Sequence, residues 1–304
     1  MKKQPLVAAV SQELSRSHAS PVLTNYKLAT LIFRLYLENS EEGGLRVSKR
    51  LPSTADLRRV KEGLLAGGVI SESPDLGSGA VRYMARPYFE ERQIVCGIDP
   101  FAYISHLSAM AHYGLTSQLP KVVFATTYPA REWSQRARQQ MQRDLGDTLE
   151  VFMSTSLPTL RRIHTSSVQG SPINLHTSTT AGSFTVVKDE QFRVASIGRT
   201  FLDMLRRPDL CGGMVHVMDV FEEHASRYIS HIVGEIDAHG SPIEMVRAGY
   251  ILEECCQLQH ETLAEVLERW QLHAQRGGSR KLDPAAEYVP EFSERWAISL
   301  NVYR

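Results

Sequence analysis

Cysteine is scarce in this chain: 304 residues hold four, Cys96, Cys211, Cys255 and Cys256. None forms a CxxC pair, and adjacent residues at 255 and 256 are poorly placed to bridge. Neither a disulfide framework nor a zinc site is therefore expected, and reduced thiols in a cytoplasm are the simplest account. Long apolar runs are also missing, so no membrane-spanning helix is expected. Lys2 and Lys3 precede a short apolar stretch, but charged residues follow too soon for a secretion signal. No GxxxxGK[ST], GxGxxG or GxSxG motif is present. That weighs against a phosphate-cradling loop or a serine nucleophile. Internal repeats and low-complexity tracts are absent. An enzyme is not the expected reading, and neither a metal nor a cofactor is called for.

Net charge is absent as well, since 34 Lys+Arg balance 34 Asp+Glu. The balance hides a partition: residues 1–87 carry a net +5 and the remainder a net −5. A basic front and an acidic back suit a DNA-binding domain joined to a regulatory or enzymatic one. The length suits two domains, with ProTyrPhe at 87–89 as the boundary: a winged-helix domain over 1–87 and a second domain over 88–304.

The richest stretch runs from Ser53 to Ala85. Ser53 is a good N-cap and follows Pro52. Asp56 suits the positive first turn. Leu57, Val60, Leu64 and Leu65 make one apolar stripe at helical spacing, and Gly67 and Gly68 end the helix. Val69 and Ile70 open a strand, Asp75–Gly79 supplies a turn, and Val81–Met84 returns. A helix, a glycine stop and a hairpin form the back half of a winged helix-turn-helix. Such a helix enters a DNA groove and such a hairpin is the wing. Arg58, Arg59 and Lys61 would then face DNA from the helix and Arg82 from the wing. Ser53 or Thr54 at the helix start is placed to meet phosphate. A solvated basic helix beside an ordinary hairpin is the plainer reading of the same residues.

Upstream, Leu6–His18 and Thr24–Asn39 read as helices, the second with Leu28, Leu31, Ile32, Leu35 and Tyr36 on one face. Leu45–Leu51 reads either as a short strand or as a turn of helix. Downstream, a helix is expected over Asp99–Gly114, capped by Asp99 with Pro100 at its first position. Strands are expected at Val122–Thr126, Thr148–Ser154, Ile173–His176, Phe184–Val187 and Phe192–Ser196. Helices are expected at Trp133–Leu145, Arg199–Arg207, Gly213–His224, Arg227–Ala238, Ile243–Leu258 and Glu261–Ala274. A flexible loop is expected at 276–280, and Trp296–Val302 reads as a final strand returning to a sheet. Strands grouped before helices argue for an α+β fold.

Candidate chemistry in the back region is thin. His106 and His112 are six apart, which does not suit two ligands on one helix face. His216, His224, His231 and His239 recur at intervals of about one face, with an expected break near Ala225. Arg199 and Asp203 stand at i and i+4, where a salt link along one helix is available. Lys188, Asp189 and Glu190 follow a strand and come nearest to a nuclease centre, but they are contiguous rather than converging.

Four segments carry a family resemblance: TyrIleSerHisLeuSerAlaMetAlaHisTyrGlyLeuThr at 103–116, ValAlaSerIleGlyArgThrPheLeuAspMetLeuArgArgProAspLeuCysGlyGly at 194–213, ArgAlaGlyTyrIleLeuGlu at 247–253 and TrpAlaIleSerLeuAsn at 296–301. In this order they resemble blocks of the AbiEi-type antitoxins of type IV toxin–antitoxin systems. The resemblance implies a winged-helix front end that binds double-stranded DNA at its own promoter and represses its own operon. It implies a back domain that counteracts a cognate nucleotidyltransferase toxin, with or without direct contact. Tyr103, Leu107, Leu202, Leu205, Tyr250 and Leu252 in these blocks read as packing residues. Two other readings stay open: a winged-helix transcription factor with a ligand- or partner-sensing domain, and a nuclease-related enzyme using Lys188, Asp189 and Glu190.

Overall fold

A computed structural model describes residues 3–42, 44–47, 49–85, 89–180, 182–260, 263–275 and 280–303, with 40–42 described by their backbone. The expected boundary at 87/88, the loop residues 276–279 and the helix start at Glu261 lie outside the described residues. The architecture is mixed α and β. Among the described residues no helix is long and apolar enough to cross a membrane.

The chain divides into two compact units. The first comprises 1–102, 127–179 and 187–192, and the second 103–126, 180–186 and 193–304. Both are therefore discontinuous in sequence.

In the first unit, α1 (Leu6–Ser17), β1 (Val22–Thr24), α2 (Asn25–Glu42), α3 (Thr54–Ala66), β2 (Ile70–Ser71) and β3 (Ala80–Tyr83) follow in order. β3 lies between β1 and β2 and is antiparallel to both, with Leu23 opposite Val81 and Ile70 opposite Tyr83. Leu6, Val10, Leu28, Ile32, Val60, Leu64, Ile70 and Val81 share one core. This is the burial expected of amphipathic helices laid on a small sheet. Leu45 makes one isolated bridge to Gln4, so the ambiguous segment forms neither a full strand nor a helical turn where it is described.

The same unit holds α4 (Glu91–Ile98), α6 (Ala130–Leu145), α7 (Leu149–Ser154) and the hairpin of β6 (Ser167–Val168) with β7 (Ser171–Thr177). Two expectations fail here. Asp99 does not cap a helix running to Gly114. It closes α4 in an extended conformation, as a residue before proline does. Its buried carboxylate accepts from Trp133 Nε1 at 3.0 Å, Thr127 Oγ1 at 2.8 Å and the Phe101 amide at 2.9 Å. Thr148–Ser154 is helical rather than a strand. Leu149 and Phe152, three apart, reach one apolar cluster with Phe33, and the Phe152 and Phe33 rings meet edge to face at 5.2 Å.

In the second unit β5 (Val123–Thr127), β4 (Tyr103–Ile104), β9 (Phe192–Ala195) and β8 (Phe184–Val187) lie side by side in that order. β4 is antiparallel to β5 and parallel to β9. The helices are α5 (His106–His112), α8 (Ile197–Arg206), α9 (Met214–His239), α10 (Pro242–Tyr250) and α11 (Leu263–Gln271). The expected break near Ala225 does not occur. Ala225 is fully buried in mid-helix, and AlaSerArg contains nothing that stops a helix. α10 stops at Tyr250 and passes into a π turn over Ile251–Cys255. The last strand is also shorter than expected. β11 (Ile298–Ser299) pairs with β10 (Phe292–Ser293) and makes one further parallel bridge, from Ser299 to Lys281; Ala297 takes a positive φ of 48° and breaks the extended run before it.

Arg199 and Asp203 do pair, at 2.7 Å along α8, and both are almost fully buried. Arg199 also donates through Nη1 to the Thr180 carbonyl. Removing one member of a buried pair leaves an uncompensated charge. We expect Asp203→Ala to cost about 3–5 kcal/mol in equilibrium unfolding. The double change Arg199→Met with Asp203→Leu should recover a substantial part of that loss. A double variant no better than the single would show that the pair's value lies beyond charge compensation.

Candidate nucleic-acid interface

The site begins with the cap of α3. Ser53 and Asp56 form a reciprocal capping box, and the Ser53 hydroxyl donates to Asp56 Oδ2 at 2.6 Å. The Ser53 amide donates to the same oxygen at 3.0 Å. Burial opposes ionisation of Asp56, but these bonds and the cations Lys49 and Arg59 outweigh it and hold its carboxyl below the usual range. Tyr36 of α2 is pushed up to about 12, by burial first and then by Asp56. The start of α3 is thus fixed against α2 by a buried acid. Ser53 is spent on this cap, so its hydroxyl is not free for phosphate in this conformation. Thr54 is exposed.

The outer face of α3 presents Thr54, Ala55, Arg58, Arg59, Glu62 and Ala66 to solvent. Arg58 and Arg59 keep 77% and 73% of their side-chain surface exposed. Each has only a loose carboxylate neighbour, Glu62 at 3.8 Å and Asp56 at 3.9 Å. Exposed pairs of that length hold their partners weakly. At about 100° per residue, Lys61 lies on the flank of Arg58 away from Arg59. Its side chain is only 26% exposed and leans toward Glu72 at 3.6 Å. Arg82 is half-buried on β3, 3.9 Å from Asp75 and with its guanidinium 5.4 Å from the Phe89 ring centre. The structure therefore brings Arg58 and Arg59 together on an open face and leaves Lys61 and Arg82 largely covered, with 26% and 29% of their side-chain surface exposed. Lys49 and Arg50, exposed just before α3, add positive charge near its start, and the sequence pattern did not point to them. Their signal was a pair of adjacent cations ahead of the Pro52–Ser53 helix start.

The other candidates are scattered. Glu190 pairs with Arg92 at 2.8 Å, while Lys188 and Asp189 are exposed. His106 is buried at the start of α5 beside the Ser105 hydroxyl, 2.8 Å from its Nδ1. His216 Nε2 lies 2.9 Å from Thr116 Oγ1. Among the described residues no group of three or more His, Cys, Asp or Glu side chains is placed to hold a metal ion.

The cap has a pH signature. Because the folded-state pKa of Asp56 is depressed, its contribution is complete above the unfolded aspartate value of about 3.9 and lost as pH falls through the lower folded value. Ser53→Ala should cost about 1 kcal/mol at neutral pH, and should flatten the loss of stability between neutral and acid pH. Urea titrations at several pH values measure both.

No family model matches the chain, and no curated protein matches it. Among solved structures it is similar to the crystal structure of RV2827C protein from Mycobacterium tuberculosis, at 12% identity and a TM-score of 0.47, over 96% of this chain and 90% of that one.

Proposed function

We propose that the chain is a DNA-binding antitoxin that represses its own operon and counteracts a nucleotidyltransferase toxin. In this reading α1, β1, α2, α3, β2 and β3 form a winged helix-turn-helix, α3 is the groove-reading helix, and the Pro74–Gly79 turn is the tip of the wing. The observation that carries it is the open cationic face of α3. Arg58 and Arg59 stand clear of solvent-excluding neighbours on a helix whose opposite face is locked into a three-helix, three-strand core. An exposed arginine pair on a rigid helix suits base-edge and phosphate contact in a major groove. The antitoxin role rests on the four sequence blocks in the second unit. The alternatives of a sensing transcription factor and a nuclease relative draw no specific support from the geometry.

Truncation at residue 88 is a poor test, because 127–179 packs with the first unit. Point variants of the whole chain avoid that difficulty. Arg58→Ala with Arg59→Ala should abolish discrimination between the promoter and a scrambled duplex while the melting temperature stays near wild type. The same variant should still rescue cells expressing the toxin. Retained promoter discrimination would remove α3 as the reader, and loss of rescue would mean that neutralisation works through DNA.

A further inference from the structure

In the first unit the extended segment 158–164 runs from α7 toward the β6–β7 hairpin, past the Pro74–Gly79 turn. It is fastened there. Thr165 Oγ1 donates to the Asp75 carbonyl at 2.7 Å, and the Gln169 amide donates to Asp75 Oδ2 at 2.9 Å. A Cβ on Gly79 would stand 2.9 Å from Ile163 Cγ1, so turn and segment are in close contact. Two shallow depressions flank the segment, one of about 400 Å³ on the side of the turn and one of about 430 Å³ against α6. Arg161, Arg162 and His164 line both, and Arg138 lines the second.

Neither depression has an acidic residue in its wall. Among the described residues Arg138, Arg161 and Arg162 make no ion pair. This sets them apart from Arg58, Arg59, Lys61 and Arg82, each of which has a carboxylate within 4 Å. Arg162 reaches only the Tyr128 carbonyl, at 3.5 Å, and its buried Nε has no hydrogen-bond partner. The outward face of α6 continues the pattern: exposed positions 131, 134, 135, 138, 139, 142 and 143 read Arg, Ser, Gln, Arg, Gln, Gln, Arg, and the acid on that arc, Glu132, is half-buried and paired with Arg136 at 3.2 Å. Uncompensated cations held in a concave wall raise the local potential for an anion. Arginine forks and amide side chains are the donors that grip phosphate oxygens.

We infer that the segment 158–164 and α6 form a second DNA-backbone surface, beside the hairpin turn and outside the helix-and-hairpin portion of the first unit. It would hold phosphates flanking the sequence that α3 reads, adding affinity without adding base discrimination. This inference rests on the proposed DNA-binding role of the first unit.

The test uses the full chain against two duplexes, its own promoter and a scramble of equal length, across a salt series. Arg138→Ala with Arg161→Ala changes two exposed side chains and should leave the thermal melt unchanged. The variant should bind both duplexes more weakly, by on the order of tenfold for each phosphate no longer held at 0.1 M salt, with a salt slope about two units shallower. The ratio between promoter and scramble should stay at the wild-type value. Arg138→Lys with Arg161→Lys keeps the charge and should recover most of the affinity. Wild-type affinity and slope in the alanine variant would overturn the second surface while leaving the α3 reading intact. Weakening there, with the Arg58/Arg59 variant binding as wild type, would keep the second surface and remove α3 as reader. A wild-type protein that binds neither duplex at low salt would end both.

Discussion

The second unit is organised around one buried charge. Arg199 is buried in the first turn of α8, where an unpaired guanidinium would be expensive, so its surroundings are constrained to supply acceptors. Asp203, one turn on, takes Nε, and the Thr180 carbonyl ahead of β8 takes Nη1. That single side chain therefore links a helix to the strand-bearing segment before it. Beyond it α8 buries Phe201, Leu202 and Leu205 against α9, with Phe201 and Phe221 edge to face at 5.0 Å. A second buried arginine extends the arrangement. Arg247 of α10 donates to the Leu205 carbonyl at 3.1 Å and to the Lys281 carbonyl at 3.0 Å, and burial lowers its pKa. Two residues later Gly249 admits the Trp296 ring, whose nearest atom is only 2.0 Å from where a Cβ would sit. Trp296 in turn donates to Glu253 at 2.8 Å. Leu202, Leu205 and Leu252, read from the sequence as packing residues, lie in this core, and Leu107 and Tyr250 pack against it.

Legibility in the sequence followed the range of the interactions. α1, α2, α3, α6 and α8 were readable because period, cap and stop lie within one segment. The Arg199–Asp203 pair was readable for the same reason, being four residues apart on one helix. Asp99 was misread because AspPro looks like a helix start, whereas its carboxylate is claimed by Thr127 and Trp133 from far along the chain. The strand expected at Thr148–Ser154 is instead α7, where Val151 and Met153 are exposed and Phe152 is buried with Leu149 beside it on a helical face. The final strand was overextended because nothing local announces the positive φ at Ala297.

The candidate interface was half legible. Cations on α3 could be located, but their availability could not. A half-buried lysine or arginine has the same letter as an exposed one. Each of the four has a carboxylate at 3.6–3.9 Å, and Arg58 and Arg59 differ from Lys61 and Arg82 in how much of the side chain the fold leaves open. The cations of 158–164 gave no sequence signal, because a stretch without periodicity reads as connection. What marks them is the absence of acids around them, and that is a property of the fold.

The first unit's interrupted path through the sequence bears on its birth. Tyr26, Phe33 and Ala29 of α2 are covered by Met141, Leu145 and Phe152, so this apolar face stays open until translation has passed residue 152. At roughly 5–20 residues per second, the ribosome needs several seconds to travel from α2 to α7. For that interval the nascent helix carries an uncovered aromatic face, and the unit that bears α3 waits on a helix encoded more than a hundred codons after α2 begins.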